Sequence, residues 1–266
     1  MTTELQVTDD RHVRTIRLNR PRKKNALSQS LAWRLVGVID EAAADDDVWV
    51  LAITGTGDAF CSGNDLTPGD NESDHGTLSE RQAFLDDLSW VGNLLLAIRE
   101  RCDKPVVAGL NGVAAGAGLA LAMACDMRIA AESAWLFPGY SRIGGSPDGG
   151  LSWTLPQAVG YERTMRFLLE NKRVDAAEAH TLGLIGEVVP DDEFQGRLEE
   201  YCRSLTTISP IAASLTKRVV REATKIDLQA QARYELQSIY RGFASEDGKE
   251  SLRAFLEHRE PEIRGR

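Results

Sequence analysis

The chain has 266 residues, of which 42% are hydrophobic and 27% charged, a composition typical of a globular protein. Its net charge of −9 argues against nucleic acid or an anionic membrane surface as the main partner. No apolar run reaches the roughly 18 residues of a membrane span, and the acidic N-terminus does not resemble a signal peptide. We therefore expect a cytoplasmic protein. Four cysteines and four histidines without ligand spacing predict free thiols and no metal site.

Strands and helices alternate along the first part of the chain, and helices follow. Short apolar runs bounded by turn residues predict strands at 5–7, 13–18, 48–54, 106–110, 127–130, 135–137 and, at a sheet edge, 186–189. Apolar residues at helical spacing predict helices at 29–44, 79–102, 119–124, 191–207, 210–224, 228–243 and 246–257. This order predicts an α/β core over residues 1–200 and an α-helical region over residues 201–266.

The basic segment 20–24 stands out in an acidic chain. It holds four cations, Arg20, Arg22, Lys23 and Lys24. A solvated basic loop and a local binding site for phosphate groups both fit this pattern.

The segment 104–126, KPVVAGLNGVAAGAGLALAMACD, combines a buried strand, a turn at Asn111-Gly112, a run of small residues and an apolar helix. Such an arrangement leaves backbone N–H groups without partners at the start of a helix, where the helix dipole adds partial positive charge. These groups could hold an anion, or an oxygen that becomes one during a reaction. Close packing of a buried helix explains the small residues equally well.

Two further segments are rich in turn residues. Residues 68–77 are polar, and we expect a mobile surface loop there. Asp148, in the sequence SPDGG, precedes a predicted helix, and its spacing alone favours a role as N-cap.

Taken together, these segments resemble the crotonase superfamily, the enoyl-CoA hydratase/isomerase family. The resemblance runs nearly end to end, through NRPRKKNAL, AFCSGNDL, KPVVAGLNGVAAGAGLALAMACD, SPDGGLSWTLPQAVG and SEDGKESLRAFLEHREPEI. It implies a spiral of ββα units with a helical C-terminal region that forms trimers or pairs of trimers. It also implies an acyl-CoA thioester as substrate, so that coenzyme A enters with the substrate and no separate cofactor is needed.

The resemblance implies that two backbone N–H groups, those of Asn64 and Ala117, bind the thioester oxygen. Proton removal beside a thioester places negative charge on that oxygen, and preorganised donors stabilise the resulting enolate. The family binds the nucleotide end of coenzyme A near the basic segment. The residues expected along this path are Lys23, Ala26, Leu27, Ser62, Asp65, Leu66 and, from the C-terminal region, Phe255. His258 matches another C-terminal position that approaches coenzyme A in relatives, where a lysine is common. The histidine in this chain therefore weakens the expected contact with coenzyme A.

The chain departs from typical hydratases of the family, which use two glutamates. Their positions fall on Ala120 and Tyr140, and neither residue is a carboxylate. Asp148 occupies a place where some isomerases and dehalogenases of the superfamily carry their catalytic aspartate. Tyr140 is expected to orient Asp148 or the thioester, or to fill the pocket wall. A dehalogenase would need a histidine near Asn93, which only His75 in the predicted loop could replace.

We therefore predict an acyl-CoA enzyme with Asp148 as acid/base, and double-bond isomerisation of enoyl-CoA is preferred over hydration. One carboxylate can remove a proton from one carbon and return it two carbons away. The alternatives are an acyl-CoA-binding protein without activity and a hydrolase or dehalogenase with Asp148 as nucleophile.

Overall fold

The computed structural model describes residues 3–67 and 78–266. The loop expected over 68–77, with His75, therefore lies outside the described residues. The strands, in chain order, are β1 (Leu5–Asp10), β2 (Val13–Leu18), β3 (Val50–Gly55), β4 (Ala59–Cys61), β5 (Val106–Leu110), β6 (Val113–Ala115), β7 (Met127–Ala131), β8 (Trp135–Phe137), β9 (Val174–Asp175) and β10 (Glu187–Val189).

The strands form two sheets. The larger has the order β1-β2-β3-β5-β7-β10, and all its neighbours are parallel except β1 and β2. The smaller has the order β4-β6-β8-β9. The position of β10 at an edge confirms the prediction for that strand. The pair Asp9-Asp10 between the first two predicted strands predicts a turn there, but the hairpin between β1 and β2 turns at Arg11 and His12 instead, both at positive φ. A tight hairpin needs positive φ at its central residues, and the pairing of β1 simply continues past the two aspartates.

The helices are α1 (Gln29–Ala44), α2 (Glu80–Leu85), α3 (Ser89–Leu96), α4 (Ala117–Ala124), α5 (Leu151–Val159), α6 (Tyr161–Glu170), α7 (Ala176–Leu182), α8 (Phe194–Leu205), α9 (Pro210–Glu222), α10 (Leu228–Ala244) and α11 (Glu246–Leu256). Within the described ranges, no helix has both the length and the apolar character needed to cross a membrane.

Side-chain caps begin some of the helices, and one predicted helix is divided in two. The serine just before the apolar periodicity of α1 predicts an N-cap at Ser28, and its hydroxyl does accept the N–H of Leu31 at 3.3 Å. The single helix predicted over 79–102 is instead interrupted. A capping box at Ser79 starts α2, which stops at Leu85, and α3 begins at Ser89 with φ of 54°. Apolar periodicity continues across this break, so the periodicity alone could not reveal it.

Both faces of the larger sheet are covered, as a mostly parallel sheet requires. One face packs against α1, α3 and α4 in the main core. The other packs against α8, whose Phe194 and Leu198 belong to one hydrophobic cluster with Trp49 and Val107. Cys61, Cys102, Cys125 and Cys202 are buried and unpaired. Burial raises the pKa of the Cys61 thiol to about 12, so this cysteine is not a thiolate near neutral pH.

The C-terminal helices α9, α10 and α11 pack on one another. The chain end then folds back, and the carboxylate of Asp247 in α11 accepts the N–H groups of Arg264, Gly265 and Arg266. The expected division between two regions at residue 200 falls within α8. That division and the trimer both remain predictions.

Candidate active site

Two loops lie side by side where the strands of the smaller sheet end. Gly63 follows β4, and Gly116 separates β6 from α4. A Cβ atom placed on Gly63 would lie 2.8 Å from the Ala115 carbonyl oxygen and 3.4 Å from the Ala117 nitrogen. Gly63 has φ of +105° and Gly116 has φ of +51°, conformations that other residues rarely adopt. Glycine therefore permits the two loops to approach this closely.

The N–H of Asn64 is directed by its neighbours. Leu27 and Asn64 form an isolated parallel bridge, in which Leu27 donates to the Gly63 carbonyl and accepts from the Asp65 N–H, each at 2.8 Å. In such a bridge the N–H of the residue between the two bonded positions points away from the partner. The Asn64 N–H is thus directed to the side on which β6 and the start of α4 lie.

Ala117 is the first residue of α4, so its N–H has no intrahelical acceptor. Among the residues that the structure describes, neither this N–H nor that of Asn64 donates to a protein acceptor. The structure thus brings together the two loops that carry the predicted donors. Close packing also accounts for the small residues, because a Cβ atom on Gly118 would lie 2.1 Å from the Cys61 carbonyl oxygen. The two interpretations of this segment are therefore compatible.

Asp148 is not the N-cap of α5. Gly150 holds that position with φ of 81°, and no side chain caps the helix. Instead, the Asp148 carboxylate accepts the hydroxyl of Tyr140 at 2.7 Å. The Asp148 side chain is exposed and Tyr140 is buried. Spacing favoured capping because Asp stands just before the helix, but the two glycines that follow move the helix start two residues along.

Tyr140 is held in its neutral form. Burial raises the pKa of its hydroxyl, and the hydrogen bond to Asp148 and the charge of Asp148 raise it further. A phenol in this environment keeps its proton and serves as a hydrogen-bond donor, not as a base. It fixes one carboxylate oxygen of Asp148 and leaves the other available for chemistry.

The turn that carries Asp148 packs directly on α4. A Cβ atom on Gly149 would lie 2.6 Å from the Cβ of Ala120. Ala117 and Ala120 are three residues apart and so share one face of the helix, with about 5–6 Å between their Cβ atoms. Asp148 is therefore placed beside the helix turn that bears one of the predicted oxyanion donors. The same packing fills the space where a hydratase glutamate would extend from position 120.

The basic segment is tied to the loop after β4 by a buried carboxylate. Asp65 pairs with Arg20 at 2.8 Å and with Lys23 at 2.9 Å, and it accepts the Thr67 hydroxyl at 2.6 Å. Burial alone would raise the pKa of Asp65, but the hydrogen bonds from Thr67, Lys23 and Arg20 outweigh it and hold the pKa well below its usual range. Part of the predicted phosphate-binding charge is thus used within the protein.

The other residues predicted along the coenzyme A path are adjacent in space, with one exception. Ser62 donates two hydrogen bonds to the basic segment, from its hydroxyl to the Lys23 carbonyl at 3.2 Å and from its N–H to the Lys24 carbonyl at 3.0 Å. Ala26 and Leu27 are buried, and Leu66 is exposed. Phe255 lies separately, exposed near the end of α11.

Sequence reasoning missed two residues that organise these loops. Asn25 is fully buried at φ of 56°, and its amide donates to the carbonyls of Thr56 and Ala59. Asn171 ends α6 and accepts the N–H of Gly139 at 2.7 Å. Asparagine tolerates positive φ, which is the only signal that could have drawn attention to either position.

Asn93 is the residue near which the resemblance implies that a dehalogenase would carry its histidine. Its side-chain amide donates to the Asp86 carboxylate at 3.2 Å and to the Ser89 carbonyl at 3.0 Å. An amide has no proton-accepting nitrogen, and this one is occupied in the break between α2 and α3.

Residues 8–266 match the family model for enoyl-CoA hydratase/isomerase. The chain is 32% identical to 4-chlorobenzoyl coenzyme A dehalogenase-2 of Arthrobacter sp. over 227 residues, covering 85% of this chain and 81% of the relative. It is 32% identical to 1,2-epoxyphenylacetyl-CoA isomerase of Escherichia coli K12 over 264 residues, covering 97% of each. A solved structure of enoyl-CoA hydratase from Bacillus anthracis matches with a TM-score of 0.86 and 30% identity, covering 99% of this chain and all of that one. The predicted crotonase-like α/β fold is confirmed, and the chain belongs to the enoyl-CoA hydratase/isomerase family.

Proposed function

We propose that this chain is an acyl-CoA enzyme that moves the double bond of an enoyl-CoA, with Asp148 as its single acid/base. The observation that carries the proposal is the 2.7 Å hydrogen bond from Tyr140 to Asp148. It orients an exposed carboxylate beside the helix turn that carries Ala117, and its donor is a neutral phenol at the position that the resemblance assigns to the second glutamate of family hydratases.

The reaction needs one carboxylate and one oxyanion site. Asp148 removes a proton from C2 of a 3-enoyl-CoA, and the electron pair moves onto the thioester oxygen to give a dienolate. The N–H groups of Asn64 and Ala117 stabilise that oxygen more than they stabilise the substrate carbonyl. Asp148, now protonated, returns the proton to C4, and the double bond moves from C3–C4 to C2–C3. Atoms and charge balance, and no second base is required.

Hydration is less well supported. Adding water across a double bond calls for a base to activate the water and an acid to protonate the carbon, and the family divides these roles between two carboxylates. Ala120 cannot transfer a proton, and the raised pKa of Tyr140, caused first by burial, prevents it from acting as a base.

A nucleophilic Asp148 is the second candidate. It is favoured by the likeness to the Arthrobacter dehalogenase and by the aromatic residue beside an exposed aspartate. In that mechanism the carboxylate attacks the substrate, and a base then activates water to release the enzyme. The bound amide of Asn93 cannot be that base, so isomerisation has the stronger support.

The test uses a 3-enoyl-CoA and a 2-enoyl-CoA in deuterated water, with wild type and Asp148→Asn compared. The proposal predicts interconversion of the two substrates, with deuterium entering C4 of the 2-enoyl product and C2 of the 3-enoyl product once the proton on exposed Asp148 exchanges with solvent, and all of this is lost in the Asp148→Asn variant. Formation of 3-hydroxyacyl-CoA as the main product would instead identify a hydratase. Release of free coenzyme A, or of chloride from 4-chlorobenzoyl-CoA, would identify a nucleophilic Asp148. Tight binding without product or exchange would identify a binding protein, and each of these three results overturns the proposal.

A further inference from the structure

Asn171 connects the end of α6 to the turn that carries Tyr140. It adopts the left-handed conformation, with φ of 53° and ψ of 45°, and its backbone N–H donates to the Phe167 carbonyl. Its side-chain oxygen accepts the N–H of Gly139 at 2.7 Å. Asparagine is one of the few residues that adopt this conformation readily, so the backbone and the side chain are accommodated together.

Gly139 begins the turn on which Tyr140 stands. Gly139 has φ of 80°, and the single 3₁₀ turn Tyr140–Ile143 that follows ends at Gly144, which has φ of 73°. Glycines at positive φ on both sides give this turn little intrinsic stiffness. A tether at its first residue therefore limits the directions in which the buried Tyr140 ring can leave the backbone.

The amide of Asn171 is oriented by this contact. Its nitrogen is buried and has no hydrogen-bond partner among residues 3–67 and 78–266. An unpartnered buried donor costs stability, so the oxygen's bond to Gly139 is the interaction that the side chain contributes. The side chain therefore serves to hold the backbone of Gly139 in place, since a residue that only filled space would not need an amide.

We propose that Asn171 is a positioning residue for the acid/base. The path runs from the Asn171 side chain to the Gly139 N–H, through the turn to the Tyr140 hydroxyl, and from there to Asp148 at 2.7 Å. Asn171 itself touches no reacting atom. This inference rests on the proposed function, because it assigns to Asn171 the alignment of Asp148 with the carbon beside the thioester.

The test compares two variants that both remove the side-chain oxygen. Asn171→Gly keeps the left-handed backbone without strain, whereas Asn171→Ala strains it and should lower the thermal midpoint. If Asn171 acts by position, both variants lower kcat for isomerisation by about three- to ten-fold, the range expected for one lost hydrogen bond, with KM within about two-fold. A purely structural role would make activity follow stability, so that Asn171→Gly would be normal and Asn171→Ala impaired. Lys172→Ala, an exposed neighbour, serves as the control and should match wild type.

A double-mutant cycle with Tyr140→Phe gives the sharper readout. Because Asn171 acts through the Tyr140 hydroxyl, adding Asn171→Gly to Tyr140→Phe should lower kcat by less than about two-fold more. The positioning role is overturned if the effects of Asn171→Gly and Tyr140→Phe on kcat are fully additive in the double variant. It is also overturned if Asn171→Gly alone has a normal kcat. A failure of the proposed function itself would look different. In that case Asp148→Asn would retain deuterium exchange at C2, whatever residue stands at position 171.

Discussion

Replacing Tyr140 with phenylalanine removes one hydroxyl and leaves the ring, so it isolates the hydrogen bond to Asp148. A hydrogen bond to a charged group contributes about 1.5–3 kcal/mol. Asp148 is exposed and water can replace part of the bond, so we take the lower end, about 1.5–2 kcal/mol, which corresponds to a roughly ten- to thirty-fold fall in kcat. The free energy of unfolding should change by less than about 1 kcal/mol, because the carboxylate that loses its donor is rehydrated.

The assay measures deuterium incorporation at C2 of a saturating enoyl-CoA together with thermal unfolding of the same samples. Tyr161→Phe is the matched control, because Tyr161 is an exposed tyrosine at the start of α6 and should be silent in both measurements. The reasoning is refuted if Tyr140→Phe exchanges deuterium at the wild-type rate. It is also refuted if the variant loses more than about 3 kcal/mol of stability, since the hydroxyl would then be structural.

Three further predictions concern the rest of the site. Ala117→Pro should lower kcat by about 10²–10³, because proline lacks the oxyanion donor yet fits the first position of a helix, so that secondary structure measured by circular dichroism should be retained. Asp65→Asn should lower the free energy of unfolding at pH 7 by about 2–3 kcal/mol. This is at the low end of the cost of removing one partner of a buried ion pair, because Lys23 is partly exposed. The pKa of Asp65 is lowered in the folded protein, so its stabilisation is present above pH ~4 and is lost as the pH falls, and urea unfolding should show the two proteins converging in acid. Ala120→Glu should not create a hydratase and should lower stability by about 3 kcal/mol, because Gly149 occupies the space beside Ala120.

Each of these has its own control. Ala117→Gly keeps the N–H and should stay within about five-fold of wild-type kcat. Asp58→Asn removes an exposed carboxylate that pairs with Lys24 and should leave stability nearly unchanged. If Ala117→Pro were fully active, if the stability deficit of Asp65→Asn did not shrink as the pH fell below about 4, or if Ala120→Glu hydrated 2-enoyl-CoA, the corresponding part of the account would be wrong.

Local signals predicted much of the fold. Ser28 sets the start of α1, and Pro190 follows the edge strand β10 where a strand should end. Position-by-position resemblance led to Asn64, Ala117 and Asp148. The fold predictions succeed because capping and apolar periodicity are properties of neighbouring residues, whereas the roles of these three residues remain predictions.

The parts that escaped prediction depend on contacts between distant residues. The pairing of Asp65 with Arg20 and Lys23 joins two loops that only the fold brings together, and no charge pattern marks it. The bond from Tyr140 to Asp148 overrides the capping role that spacing favours, because Gly149 and Gly150 delay the start of α5. Short strands such as β6 are formed by residues that read equally well as a small-residue turn.

The most direct test of the central claim is a crystal structure with an unreactive acyl-CoA analogue bound. The account predicts that the thioester oxygen lies about 2.7–3.1 Å from both backbone nitrogens, those of Asn64 and Ala117. It also predicts that the carboxylate of Asp148, still bonded to Tyr140, faces the carbon beside the thioester. A thioester oxygen bound elsewhere, or an Asp148 side chain turned to solvent in that complex, would contradict it.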